Sequence, residues 1–385
     1  MNVRDLLIAL VRNAIKSEAL DIDVIKESLS ENKLATLFKV SKNHDVAHLV
    51  CYALEKNGFS FEGETWERFV SEKEQARLRY EMIQADINEI CECFEDEGID
   101  YIPLKGAALR GLYPEPWMRT SCDIDILVRE EDLKRAVKAL VEKHSYKTDD
   151  KKTYHDISLY SPFGMHLELH YNIKENEPKY DELLTRVWEF SKKAQGFEHK
   201  YELTNEFLLL HLTAHAAYHF VNGGCGLRAV LDLWLLETSV ELDWDIIIEA
   251  LERNELAEFY GAIADLGEYW LGAKKEVREI VLETEKFILL GGLYGTEKQA
   301  ATAKRVKKGG RIKYFWSRIF LPYESLSVLY PIIKNHKIMI PFCQISRWFG
   351  AIFKSKRIVK ETKNIACVGS QEIKKTKELL YYLGL

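Results

Sequence analysis

Cys122-Asp123-Ile124-Asp125-Ile126-Leu127-Val128 is the stretch on which the reading of this chain turns. Its period of two predicts a strand, with Asp123 and Asp125 on one face while Ile124 and Ile126 pack into a core on the other. Two carboxylates this close resist joint ionisation, and a divalent cation with oxygen ligands relieves that cost. On the same view Asp125→Asn should slightly stabilise the metal-free protein. An alternating polar face on an edge strand also produces Asp-x-Asp, so the pair needs context before it implies chemistry.

Before the pair, Tyr101–Leu104 reads as a short strand stopped by Lys105-Gly106, followed by a helix Ala107–Leu112 and a loop at Tyr113-Pro114-Glu115-Pro116. After it, Glu130–Lys143 has helical spacing, and His155–Tyr160 and Met165–His170 form a hairpin around Ser161-Pro162-Phe163-Gly164. The unit from 98 to 173 is thus β-α-β-α-β-β. Its last strand places Glu168 between Leu167 and Leu169, a third carboxylate able to converge with the first two. Such a cluster suits an in-line displacement, in which two cations about 3.5–4 Å apart clamp the attacking and leaving oxygens. Asp123 and Asp125 would bridge the cations, and Glu168 would complete the site and help orient or deprotonate an acceptor hydroxyl.

Helical periodicity flanks this unit on both sides. It runs from Asp5 to about Gly98, as in Leu6, Leu7, Leu10 and Val11, and predicts one extended helix over Thr65–Glu97, which holds no Pro or Gly. Beyond a charged, sheet-poor linker at 174–200 it resumes at Thr204–Val221 and continues to about Leu290. The expected fold is α+β: a small mixed β-sheet core (98–178) between an N-terminal helical region (1–97) and a C-terminal helical domain (179–298), with a basic helical segment at 299–385.

That last segment carries 18 Lys or Arg against 4 Asp or Glu, so a net charge of -6 divides into +14 there and -20 elsewhere. A basic segment favours an anionic partner such as a nucleotide, a nucleic acid or an acidic membrane surface; a basic surface folded back on an acidic body accounts for it as well. Its rings (Trp316, Phe320, Tyr323, Tyr330, Trp348 and Phe353) interleave with Arg311, Lys313, Arg318, Lys334, Arg347 and Lys354. These could stack nucleobases or meet a membrane, but Pro322, Pro331 and Pro341 interrupt any long amphipathic helix, and packing on the helical domain fits better. No apolar run reaches the roughly 18 residues a membrane span requires, and the first residues do not resemble a signal peptide, which points to the cytoplasm. The seven cysteines include no Cys-x-x-Cys pair and read as reduced structural thiols.

Further candidates are weaker. His211, His215 and His219 form one helical stripe. The stripe lacks the glutamate of His-Glu-x-x-His, so a substrate-facing role fits better than zinc. Arg228 faces either substrate or Asp232, four residues on, in an ion pair. His170 shares a strand face with Glu168 and either orients it, binds phosphate or packs as a half-buried structural group, and His155 lies on the neighbouring strand.

Together, Leu104-Lys105-Gly106, Leu112-Tyr113-Pro114, Arg119 through Val128 and Leu167-Glu168-Leu169-His170-Tyr171 resemble the polymerase-beta-type nucleotidyltransferase superfamily. Within it the chain is most similar to an uncharacterised bacterial nucleotidyltransferase family. The resemblance covers the unit from 98 to 173 and implies two Mg²⁺ ions, an NTP substrate and transfer of a nucleoside monophosphate to a hydroxyl acceptor. It places catalysis and metal binding on Asp123, Asp125 and Glu168, and nucleotide binding on Lys105, Gly106 and Arg119. Lys105-Gly106 stands where the superfamily usually has Gly-Gly or Gly-Ser, and the 16 residues between Gly106 and Asp123 are more than usual. Lys105 would replace the missing hydroxyl as a point charge, with Gly106 opening a helix N-terminus to phosphate. Two other readings stay open: an inactive binding module on the same fold, and an RNA-modifying transferase gripping RNA with the basic segment.

Overall fold

The computed structural model describes residues 1–153, 155–292, 299, 302, 323, 326, 330–334, 336–353 and 370–385. The expectations for Trp316, Phe320, Arg311, Lys313, Arg318 and Lys354, and for the side chains of Lys334, Arg347, Trp348 and Phe353, lie outside the described residues.

Five helices open the chain: α1 (Val3–Lys16), α2 (Ile22–Ser28), α3 (Glu31–Asn43), α4 (Ala47–Lys56) and α5 (Glu64–Glu97). The Asn2 side chain caps α1 by accepting from the Asp5 N–H, satisfying one of the donors a helix start leaves free. Gly63 precedes the 34 residues of α5, and Gly98, at φ 63°, ends them. That left-handed conformation lets the Gly98 N–H turn back to the Glu95 carbonyl.

The sheet follows, with β1 (Tyr101–Pro103), α6 (Lys105–Leu109), β2 (Asp123–Val128), α7 (Leu133–His144), β3 (Lys147–Lys152), β4 (Asp156–Tyr160) and β5 (His166–His170). Its order is β1-β2-β5-β4-β3. Only β2 and β5 run parallel, while β1/β2, β4/β5 and β3/β4 are antiparallel. The architecture is therefore α+β, with a mixed five-stranded sheet in the middle of the chain and helices on both sides of it in sequence. One strand more is present than the hydrophobic pattern predicts, because β3 is the run Lys-Thr-Asp-Asp-Lys-Lys. It is an edge strand, where charge discourages pairing with another chain and no apolar face is needed.

Two further elements stand in the region expected to be a sheet-poor linker: α8 (Pro178–Thr185), and a hairpin of β6 (Ser191–Lys193) with β7 (Tyr201–Leu203). The Tyr101 N–H donates to the His199 carbonyl, which ties this hairpin to the free edge of β1. Then come α9 (Asn205–Asn222), α10 (Gly226–Ser239), α11 (Trp244–Arg253), α12 (Ala257–Trp270) and α13 (Glu279–Gly291), with α14 (Ile340–Phe353) and α15 (Ser370–Tyr382) further on.

The back of the sheet buries Ile124, Ile126, Val128, Leu167 and Leu169 against α7 and the second half of α5. The parallel β2–β5 pair requires a crossover, and α7 lies within it. The front of the sheet faces a larger core that joins the N-terminal helices to α9–α13 and to Leu379, Leu380 and Leu383. Leu127, two residues beyond Asp125 and so on its face, belongs to this larger core. Both faces of the sheet are thus covered, except where the carboxylates stand. No helix among the described residues is long and apolar enough to cross a membrane. Of the six described cysteines, all free, only Cys122 is exposed.

Candidate active site

Parallel pairing sets Asp125 directly beside Glu168, Asp123 beside His166 and Leu127 beside His170. Residues in register on parallel neighbours share a face, so Asp123, Asp125, Glu168 and His170 all emerge on the front of the sheet. They line a cavity of about 370 Å³ whose opposite wall is made by His211, His215 and His219 of α9 and by Arg228 of α10.

Asp125 is only 6% exposed. Its Oδ1 accepts from Lys105 Nζ at 3.0 Å and from His170 Nε2 at 3.0 Å. Burial alone would raise its pKa, but the Lys105 charge and the His170 hydrogen bond outweigh it and hold the carboxyl well below the ordinary range. Glu168 Oε2 lies 3.5 Å from the same His170 nitrogen, a contact that lowers its pKa against burial. Burial opposes charge on His170 too, yet its bonds to Asp125 and Glu168 push it up to about 9, so near neutrality it is an imidazolium. Asp123 is displaced the other way, raised first by burial and then by the charges of Asp125 and Glu168.

Asp123, Asp125 and Glu168 offer carboxylate oxygens, the donor type that small divalent cations prefer. One ligand atom each from Asp125, Glu168 and His170 lie within 4.8 Å of one another, a group that leaves out Asp123 and in which His170, while protonated, offers no lone pair to an ion. The pKa of Asp123 is raised by burial first and by the charges of Asp125 and Glu168 second, and a bound cation would relieve the second cause. By donor chemistry and by charge, the residues fit a cation.

The candidate phosphate grip differs from its sequence reading. Lys105 begins α6 at φ 38°, a left-handed conformation uncommon for a side chain other than Asn or Asp, and its ammonium sits on Asp125. The helix it opens has five residues and makes a weaker anion site than a full helix would. Gly106 is required for space: a Cβ there would stand 3.0 Å from Arg119 Nη1 and 3.2 Å from Arg110 Nη2. Arg110, which no sequence motif pointed to, is 6% exposed; its Nη2 donates to Ser121 Oγ at 2.6 Å, and burial followed by the Arg119 charge lowers it to about 10. Two buried guanidiniums therefore stand behind Gly106.

Arg119 already spends its bidentate edge: Nε and Nη2 donate to Oδ1 and Oδ2 of Asp232, each at 2.8 Å, and the Tyr113 hydroxyl donates to the same Oδ1. The expected ion pair between Arg228 and Asp232 does not form, because Arg119 reaches Asp232 from the loop before β2. Arg228 instead donates to the Thr120 carbonyl at 2.6 Å and lies 3.4 Å from Asp45 Oδ2.

On the far wall, burial and then the Lys105 charge push His211 down to about 3, and burial, reinforced by the adjacent His215, does the same to His219. His215 Nδ1 lies 2.6 Å from Glu175 Oε1. Glu175, between β5 and α8, was missed in the sequence, where a lone glutamate in a charged stretch carries no pattern. His155 stacks on His170 with ring centroids 5.5 Å apart.

A mixed five-stranded sheet with helices before and after it in the chain is consistent with a nucleotidyltransferase core. The chain belongs to the family described as Uncharacterised nucleotidyltransferase, which matches residues 30–272. That span takes in α3, α4, α5, the whole sheet and all of α8–α12, so the family extends well beyond the 98–173 unit. Membership supports transferase activity in general. No curated protein matches the chain.

Proposed function

We propose that the chain transfers a nucleoside monophosphate from an NTP to a hydroxyl acceptor in a Mg²⁺-dependent reaction. The observation that carries this reading is the alignment of Asp125 with Glu168 across β2 and β5, beside Asp123, in a cavity that holds cationic side chains at one end and neutral histidines at the other. Asp123, Asp125 and Glu168 would hold the cation, which when bound supplies neutralising charge to the triphosphate and to the oxygens of the displacement. Lys105, 20% exposed, can leave Asp125 for a phosphate oxygen once the carboxylate has another counter-charge, and Gly106 lines the same cavity with two guanidiniums packed against it. Arg228 lines the same cavity and faces the incoming substrate. The α9 wall would receive the acceptor.

Incubation with each labelled NTP, Mg²⁺ and a cell extract tests this: label should pass to an extract component and pyrophosphate should accumulate. Neither should happen when Mg²⁺ is withheld. Labelling unaffected by Mg²⁺ removal, or none with any NTP, sinks the reading.

A second reading is a binding module that has lost catalysis. Lys105 and His170 favour it, because together they compensate Asp125 and Glu168 without a metal. The two readings separate on whether Mg²⁺ strengthens NTP binding, which only the first requires.

A further inference from the structure

Glu175 and His215 form a second polar pair across the cavity from the carboxylates. The pair is held in place. The Glu175 N–H donates to Asp181 Oδ1 at 2.9 Å, Ile173 beside it is buried, and His215 is fixed within the third turn of α9 with the His219 ring edge-on at 4.4 Å. His215 Nδ1 is taken by Glu175, Nε2 has no hydrogen-bond partner among the described residues, and the residue lines the cavity. On the sheet side Asp125 Oδ1 is held by Lys105 and His170 and Glu168 Oε2 contacts His170, and the reading above gives Asp123, Asp125 and Glu168 to the cation. Of the three neutral histidines on the α9 wall, His215 is the one whose ring is oriented by a carboxylate, and a hydroxyl attacking from that side meets it.

We propose that His215 is the base that accepts the acceptor's hydroxyl proton and that Glu175 is its positioning residue, an inference that rests on the transfer reaction proposed above. The hydroxyl proton passes to Nε2 as the oxygen's electron pair forms a bond to the α-phosphorus. The bond from that phosphorus to the oxygen bridging to the β-phosphate breaks, and pyrophosphate leaves with its electron pair. His215 becomes an imidazolium whose Nδ1–H is held by the Glu175 carboxylate, and it then returns its proton to solvent. The acceptor is accordingly an alcohol, since an acceptor already ionised near neutrality, such as a phosphate or carboxylate, has no proton to give. In the free protein burial and the Lys105 charge keep His215 neutral with its lone pair available. A triphosphate drawn to Lys105 offsets that charge and strengthens the base when substrate is present.

The test uses the full chain, Mg-NTP and glycerol as surrogate acceptor, together with ¹⁵N NMR of histidine-labelled protein. In metal-free protein His215 should be the neutral Nδ1–H tautomer, and Glu175→Gln should perturb that signal. This measurement needs no active enzyme, and the wild-type tautomer needs no folded variant. His215→Gln should bind Mg-NTP as wild type does while losing transfer roughly 10²–10⁴-fold. Imidazole should restore part of the rate in His215→Gly, and Glu175→Gln should lose less than His215→Gln. An Nε2–H tautomer, or wild-type transfer by His215→Gln at unchanged NTP affinity, overturns the base assignment and leaves the transferase reading standing. A wild-type protein that binds no Mg-NTP and releases no pyrophosphate removes that reading, and the base assignment falls with it.

Discussion

At the scale of residues, the site is a balance of close charges, and the structure reverses one expectation about it. From the sequence alone, Asp125→Asn relieves repulsion and stabilises the metal-free protein. In the structure Asp125 is buried and accepts from Lys105 and His170, so the substitution leaves two cationic groups without their shared anion. Removing one partner of a buried pair costs about 3–5 kcal/mol, and an asparagine oxygen still able to accept one bond should bring the loss toward the lower figure. Chemical denaturation of Asp125→Asn without metal should show destabilisation, and a stability equal to or above wild type would restore the repulsion view. Transfer by the same variant should fall about a thousandfold or more, measured as pyrophosphate release. Lys105→Met separates two roles of one side chain. It frees Asp125 and removes a phosphate contact, so Mn²⁺ alone should bind tighter while Mg-NTP binds roughly tenfold more weakly, by titration calorimetry. If both affinities stay at wild-type values, Lys105 is an ordinary surface lysine.

At the scale of elements, what was legible followed from periodicity. α5, β1, β2, the β4–β5 hairpin and α9 stand within a few residues of where spacing put them, because each buries an apolar face with a definite repeat. The face that Glu168 shares with Asp125 was legible for the same reason, since alternating leucines fixed it. β3 was missed because an edge strand of six charged or polar residues has no apolar repeat, and β6–β7 because three-residue strands are too short to show one. The partners of Arg119 and Arg228 were illegible for another reason. Asp232 lies 113 residues from Arg119 in sequence, and only the folded chain brings them together. α4 offers a test of burial at this scale. Its His48 Nε2 meets the Met118 carbonyl at 2.8 Å, and His44, just before the helix, meets the Leu289 carbonyl at 3.1 Å. Burial holds both below the ordinary histidine value. Their stabilising contribution is therefore complete above about pH 6.5, where the unfolded chain is neutral too, and is lost as pH falls toward the folded values, at roughly 1.4 kcal/mol per pH unit per group. His170, pushed up to about 9, acts in the opposite sense, its contribution being lost as pH rises through that value. Thermal unfolding should thus occur at a lower temperature at pH 5.5 than at pH 7.5, with a smaller difference in His48→Gln. Equal midpoints at the two pH values would mean these rings are solvated.

At the scale of the whole molecule, one hydrophobic core runs from Leu6 to Leu383 and joins the first helices to the last, whereas the back of the sheet has a core of its own. Charged ties link the acidic strand to the helices that roof it, and the most buried of them is Arg119–Asp232, with side chains 6% and 7% exposed. Because Arg119 lies four residues before Asp123 and Asp232 lies in α10, this pair fixes the distance between the sheet side of the cavity and its helical roof. Its loss should therefore act on two observables that respond differently. Asp232→Ala leaves a buried guanidinium and the Tyr113 hydroxyl without their acceptor, and should cost about 3–5 kcal/mol in denaturant unfolding. The double variant Arg119→Met/Asp232→Leu removes both charges, so much of that stability should return, because an apolar pair carries no uncompensated charge. Mg-NTP affinity discriminates the roles of Arg119. If the guanidinium only ties the roof to the sheet, the double variant should bind Mg-NTP within a few-fold of wild type. If Nη1, which points toward Gly106, also contacts phosphate, affinity should stay roughly tenfold or more below wild type after stability has recovered. The bidentate engagement of Arg119 by Asp232 predicts the first outcome, and a double variant that is stable yet cannot bind nucleotide would return Arg119 to the phosphate grip.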